Sequence, residues 1–176
     1  MKITLDHNCL IDLATSTLVG DKIRQLISGP DLQPYVVNIG ASEMRERGIQ
    51  PDRYDLFEEL LSSAGLTEAP RLDPVMIWDV TFWDRCLWAG PDEESLIEEV
   101  EAILFGDSPL ASPAGGMDSP EGKKWLNRVC DVQTMWCHIR NKNDLFLTSD
   151  KNFLKQTKLP RLLAIGAGAI RSPSSQ

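Results

Sequence analysis

Apolar positions along this chain follow two signatures: short bursts that end in an acid, and longer stretches with apolar residues every three or four positions. The first burst, Lys2-Ile3-Thr4-Leu5, runs straight into Asp6 and predicts a buried strand. Helical spacing follows from residue 9 to 15 and from 22 to 27, and Ser28-Gly29-Pro30 stops it. Tyr35 to Ile39 predicts a second strand, and Ala41 to Arg47 a helix that ends by Gly48. Residues 51–64 predict another helix, with Leu56, Leu60 and Leu61 on its apolar side. From about Leu72 to Gly122 the pattern is irregular and rich in tryptophan, with an acidic helix over 92–105 and a loop over 106–116. Ser119-Pro120-Glu121 reads as an N-cap with proline at the first helical position. The helix it starts runs to Arg140, with a stripe of Trp125, Val129, Val132 and Trp136. Residues 145–148 predict a third strand leading into Asp150, 152–156 a short helix, and 162–166 a last strand. Residues 1–171 then read as one domain with a central insertion at about 72–122, and 172–176 as a loose tail.

Short buried strands alternating with helices predict an α/β sandwich around a mostly parallel sheet. Ligands of such sheets sit beyond the carboxyl ends of the strands. Asp6 follows the first strand, Glu43 opens the helix after the second, and Asp150 follows the third. Three acids far apart in sequence are thereby expected on one edge of the sheet.

Charge sharpens this expectation. The net charge is -8, whereas a protein that grips a polyanion usually shows a basic face. Carboxylates gathered around a divalent cation give the same excess, and the bound ion reverses the local sign. Four scattered cysteines include no CxxC pair, which argues against a zinc ribbon or a thioredoxin-like site. No basic segment followed by an apolar run opens the chain, and no stretch approaches the roughly 18 apolar residues of a membrane span. A cytoplasmic protein with buried thiols and no membrane partner is the expectation.

Crowded carboxylates repel one another unless a cation lies between them. Mg²⁺ or Mn²⁺ suits oxygen ligands, lowers the pKa of a bound water and holds a phosphodiester oxygen. At this point the residues resemble the PIN domain family, which includes VapC-type toxins and other endoribonucleases. Ile3 to Leu13 resembles the family's opening strand, with Asp6, then Asn8, then an apolar helix start. Ala41-Ser42-Glu43-Met44-Arg45 resembles its second motif, Asp131 its third acid, and Leu147 to Phe153 its fourth motif around Asp150. The resemblance implies a three-layer α/β/α sandwich and Mg²⁺- or Mn²⁺-dependent hydrolysis of RNA. It implies Asp6, Glu43, Asp131 and Asp150 as metal ligands or water activators, with Asn8 and Ser149 as supporting groups. It covers roughly the first and last fifty residues of the chain; the tryptophan-rich middle departs from it, and His7 stands where members often have Thr. Small domains of this kind often complete a substrate groove by pairing, so a homodimer is expected, and a toxin would bring an antitoxin partner.

Each residue also has a plainer reading. Asp6 or Asp150 alone would be taken for a helix cap, and Glu43 for a first-turn acid favoured by the helix dipole. Asp131 falls inside a helix, where Asp is not favoured, so its plain reading is an exposed surface position. His138 lies about 10 Å along the helix from Asp131, too far to share an ion, and a packing or surface role is expected for it. A phosphate contact is the minority reading for His7. Trp78, Trp83 and Trp88 recur every five residues, and core packing or a subunit interface is expected ahead of base stacking. Candidate phosphate contacts are Arg45 and Lys151, with Arg47, Lys123, Lys124, Arg140 and Lys142.

Two other functions compete with the nuclease. A catalytically weak or inactive RNA- or protein-binding module fits the acidic balance and the altered middle, but has no need of four mutually repelling acids. An Asp-nucleophile phosphatase also places an Asp after its first strand, yet requires a second Asp two residues on, where this chain has Asn8.

Overall fold

Ile3, Thr4 and Leu5 are all buried, which is what a strand covered on both faces requires. In the structure, a computed structural model describing residues 1–47, 53–106, 113 and 115–175, they belong to the central strand of a parallel sheet. Its five strands among the described residues are β1 (Lys2–Leu5), β2 (Gln33–Val37), β3 (Arg71–Leu72), β4 (Leu145–Leu147) and β5 (Ala169–Arg171). They lie in the order β3-β2-β1-β4-β5, and every pairing is parallel. Ile3 pairs with Pro34 on one side and with Leu145 on the other.

The pleat sorts side chains to the two faces. Ile3, Leu5, Leu145 and Leu147 pack with α1 (His7–Ala14), α2 (Leu18–Ile27) and α4 (Tyr54–Ser63) through Leu10, Ile23 and Phe57. Phe146 and Ile170 pack on the opposite side with α5 (Pro91–Phe105), α6 (Pro120–Arg140) and α7 (Leu159–Ala164). Helices on both faces of an all-parallel sheet are the expected α/β architecture, consistent with a three-layer arrangement. Ser119 caps α6 by accepting from the Gly122 amide at 2.9 Å, as its sequence predicts. From Val132 to Ile139 every residue of α6 is buried, because this helix lies between the sheet and α5.

Several elements differ from the sequence expectation. The second strand spans 33–37 rather than 35–39: the Asn38 amide still donates to the Leu72 carbonyl at 2.9 Å, but its own carbonyl turns to accept from the Ala41 amide at the start of the next helix. The helix expected over 41–47 is a short α3 (Gly40–Glu43) followed by a 3-10 turn over Met44–Arg47. Residues 162–166 do not form the last strand. Leu162 is buried while Leu163 and Ala164 are exposed, a one-sided burial that suits the helix α7, with Pro160 in its first turn. The edge strand is β5, a few residues later. No helix forms over 152–156, since the Asp150 carboxylate accepts from the Asn152 amide and closes a local turn instead. Residues 173–175 make a 3-10 turn with Pro173 buried. Most of the loop expected over 106–116 lies outside the described residues.

Tryptophans 78, 83 and 88 are not core. They are 68%, 68% and 73% exposed and contact one another edge-on, with ring centroids 5.6 and 6.2 Å apart. Their segment is tied to α3 and the 3-10 turn after it: Ser42 Oγ donates to the Val80 carbonyl at 2.7 Å, and Arg45 to the Asp79 carbonyl at 3.0 Å.

Gly40 sets how closely α3 can approach this frame. A β-carbon there would lie 2.9 Å from Phe57 and 3.0 Å from the His7 ring. Gly40→Ala is therefore expected to lower stability by about 1–3 kcal/mol, read from urea denaturation midpoints. An unchanged midpoint would mean that the Phe57 and His7 rings yield freely.

Candidate carboxylate site at the strand ends

The strand order places β1 beside β4 where the chain reverses direction across the sheet. To one side of β1 lie β2 and β3, and to the other β4 and β5. Open parallel sheets bind ligands beyond the strand ends at such a reversal. Asp6 and Asp150 both lie there. The Asp6 amide extends the ladder by donating to the Leu147 carbonyl at 3.0 Å, and Asp6 then becomes the N-cap of α1.

Asp6 is 3% exposed. Its Oδ1 accepts from the His7 amide at 2.9 Å, and its Oδ2 from the Thr148 hydroxyl at 2.6 Å. Burial lifts its carboxyl from the ordinary 3.8 to about 6. The hydrogen bonds from Thr148 and His7 oppose that rise, the negative charge of Asp150 adds to it, and Asn8 exerts a smaller downward pull. Among the described residues no salt bridge relieves this buried acid. The capping role anticipated for Asp6 is present, and it coexists with a desolvated carboxyl beside the negative charge of Asp150.

Thr148 joins the two acids. The Asp150 amide donates to its Oγ1 at 2.9 Å, so its one hydroxyl proton is left for Asp6. Asp150 is half-buried, and its Oδ1 accepts from the Asn152 amide at 2.7 Å. The resemblance implies Ser149 as a supporting group that orients the acids or touches a phosphate; Ser149 is exposed, and the hydroxyl that orients Asp6 is that of the fully buried Thr148. Strand alternation is the signal that could have found it, since Thr148 continues the pleat of β4.

Glu43 closes α3 beyond β2 and is half-buried, so Asp6, Glu43 and Asp150 follow three adjacent strands. Asp131 is half-buried on α6. Asp150 and Asp131 both act electrostatically on Lys158, whose ammonium also donates to Asn152 Oδ1. Burial pulls the Lys158 pKa down, Lys155 adds to that pull, and the two acids work against it. Hydrogen bonds thus couple Asp6 to Asp150 through Thr148, while Asp150 and Asp131 have in common their electrostatic action on Lys158. Among the described residues, no three acid, histidine or cysteine side chains close into a ligand set for an ion.

The remaining candidates fall into place individually. His7 is buried at the start of α1 with its ring stacked on Phe57. His138 is fully buried and bonded to Thr4 and Gly168, so of the packing and surface roles open to it the structure gives packing. Cys9 and Cys137 are buried, and burial raises both thiols, which leaves them inert. Arg45 is held by the Asp79 carbonyl and lies 3.7 Å from Asp118, Arg140 packs over the Trp136 ring, and Lys151 is exposed. The Arg47 side chain lies outside the described residues. No described helix is long and apolar enough to cross a membrane.

Comparison with known protein families, with curated proteins and with solved structures returned no match, so the reading of this site rests on its own residues.

Proposed function

We propose that this chain is a PIN-like, Mg²⁺- or Mn²⁺-dependent endoribonuclease that hydrolyses RNA at the Asp6–Asp150 edge of its sheet. One observation carries the reading: a nearly inaccessible carboxylate, raised to about 6 and coupled to a second acid at the reversal point of a parallel sheet. Such a pair is unfavourable without a cation. Its oxygen donors suit a hard divalent ion, which is commonly held by one or two carboxylates, with waters and substrate phosphate completing the shell. Such an ion, when bound, supplies an activated water and charge stabilisation at the phosphodiester.

The protein's own groups prepare the site. Thr148 and the His7 amide fix both oxygens of Asp6, so its carboxylate is aimed before any ligand arrives. The Asn152 amide fixes one oxygen of Asp150 in the same way. Asp6 holds a proton over part of the neutral range and must release it on taking a ligand, so activity should rise with pH through about 6. Asp131 and Glu43 are assigned flanking roles in completing the charge of the site.

The reading is tested with labelled single-stranded RNA, in Mn²⁺ and in chelator. Asp150→Asn is expected to lose at least about a hundredfold in rate, and Asp131→Asn and Glu43→Gln less. Cleavage that survives chelator or Asp150→Asn would sink the proposal. The exposed tryptophan trio favours a second reading, an RNA- or protein-binding module without turnover, since such rings make sequence-tolerant stacking platforms. RNA binding with no cleavage in any metal would select it. A cytoplasmic setting, a homodimer and an antitoxin partner belong to the same proposal and stand or fall with the toxin-like reading.

A further inference from the structure

Four cations converge on one pocket beside the acids, in a chain whose net charge is -8. Arg128 comes from α6, Lys155 and Lys158 from the turn after Asp150, and Arg161 from α7. The pocket holds about 510 Å³, and among the described residues no acidic side chain lines it. None of the four makes a salt bridge among the described residues. Arg128 and Lys158 both lie over the Phe105 ring, at 5.2 and 5.6 Å from its centroid. Lys158 also donates to the Leu104 carbonyl and to Asn152 Oδ1. Two of the cations are thus positioned before any ligand arrives, although like charges at this spacing repel. Burial and the charges of Lys155 and Arg128 destabilise the Lys158 ammonium, a conflict that a bound anion would relieve.

We propose that this pocket binds a phosphate group of a single-stranded nucleic acid and thereby presents the neighbouring phosphodiester to Asp6 and Asp150. The link to the acids is short. Asn152 accepts from Lys158 through its side chain and donates to Asp150 through its amide, so one residue spans pocket and site. The pocket also answers the difficulty of an acidic chain binding a polyanion, because the positive potential is concentrated where the strand must pass. The presentation step rests on the nuclease reading; phosphate binding does not.

Binding of a short single-stranded RNA in chelator, followed by fluorescence anisotropy across a salt series, tests the pocket without hydrolysis. Lys155 and Arg161 are both exposed, so Lys155→Ala/Arg161→Ala should fold, as circular dichroism can verify. The double variant is expected to bind about tenfold more weakly, with its salt slope reduced by about 1.4, the value for two lost single-strand phosphate contacts. Lys22→Ala on α2, an exposed cation on another element, should change neither quantity. Equal losses with 5′-hydroxyl and 5′-phosphorylated RNA would identify an internal phosphodiester as the ligand, and a loss confined to the phosphorylated strand a terminal phosphate. Unchanged affinity and slope in the double variant, or no binding by the wild type, would overturn the pocket. Weakened binding by the double variant, in a protein that never cleaves, would retire the nuclease reading while leaving the pocket standing.

Discussion

Asp6→Asn is expected to abolish RNA hydrolysis and to make the ion-free protein more stable near neutral pH. The sign follows from the folded carboxyl at about 6 against an ordinary value of 3.8. A raised carboxyl contributes its full stability below about 3.8 and loses it as pH rises through about 6. Above that pH the ionised Asp6 opposes folding by about 3 kcal/mol. Asparagine keeps an oxygen for the His7 amide, and its amide nitrogen can donate to Thr148, so the local bonding can be rebuilt. The net gain is expected at about 1–3 kcal/mol in urea denaturation near pH 7 with chelator present. Added Mn²⁺ should raise the melting temperature of the wild type and leave the variant unmoved. A variant that is inactive but less stable would make Asp6 a structural cap. A variant that retains hydrolysis would remove the acid from the chemistry altogether.

The strand-end positions of Asp6 and Asp150 were readable in the sequence. An acid directly after an apolar burst in an α/β pattern must emerge at the carboxyl edge of the sheet, and both do. Other features were hidden by the same local view. Strand β3 has two residues and no apolar run of its own, so it exists through pairing with Val36 and Val37. The run from Leu162 to Ile165 is apolar enough for a strand, and only its one-sided burial in the fold makes it helix. Trp78, Trp83 and Trp88 are expected in the core or at a subunit interface, and their segment runs along the surface, tied down by the side chains of Ser42 and Arg45.

The basic pocket escaped sequence reasoning for a related reason. Its cations come from α6, from the turn after β4 and from α7, and only packing against Phe105 brings Arg128 to Lys158. Lys155, Lys158 and Arg161 do recur every three residues, but that spacing had no meaning until the expected strand over 162–166 proved to be helical. Net charge is silent on it in the same way, since a sum over the whole chain hides a local cluster of one sign.

His138 should give the opposite pH dependence from Asp6. Its Nε2 accepts from the Gly168 amide at 3.2 Å, so the proton of the neutral ring sits on Nδ1 and is donated to Thr4 Oγ1 at 2.8 Å. The same Oγ1 accepts from Asn143 Nδ2, which ties α6, β1 and the start of β4 together. A second proton on the ring would face the Gly168 N–H, donor against donor. Burial lowers the ring from 6.5 to about 4, with Asp144 pulling weakly the other way. A depressed folded value means that this stability is complete above about 6.5 and is lost as pH falls through about 4, by about 3 kcal/mol. Over nearly the same window Asp6 gains about as much on acidification, so the two contributions largely cancel in the wild type. Asp6→Asn removes the compensation, and its stability relative to wild type should fall by about 3 kcal/mol between pH 7 and pH 4. His138→Gln should move the other way, gaining on wild type over the same range. The ring signal of His138 in NMR should stay at its neutral position until the pH nears 4. A midpoint near 6.5, or stability profiles for Asp6→Asn and wild type that run parallel, would show that these two buried groups do not set the acid response of the fold.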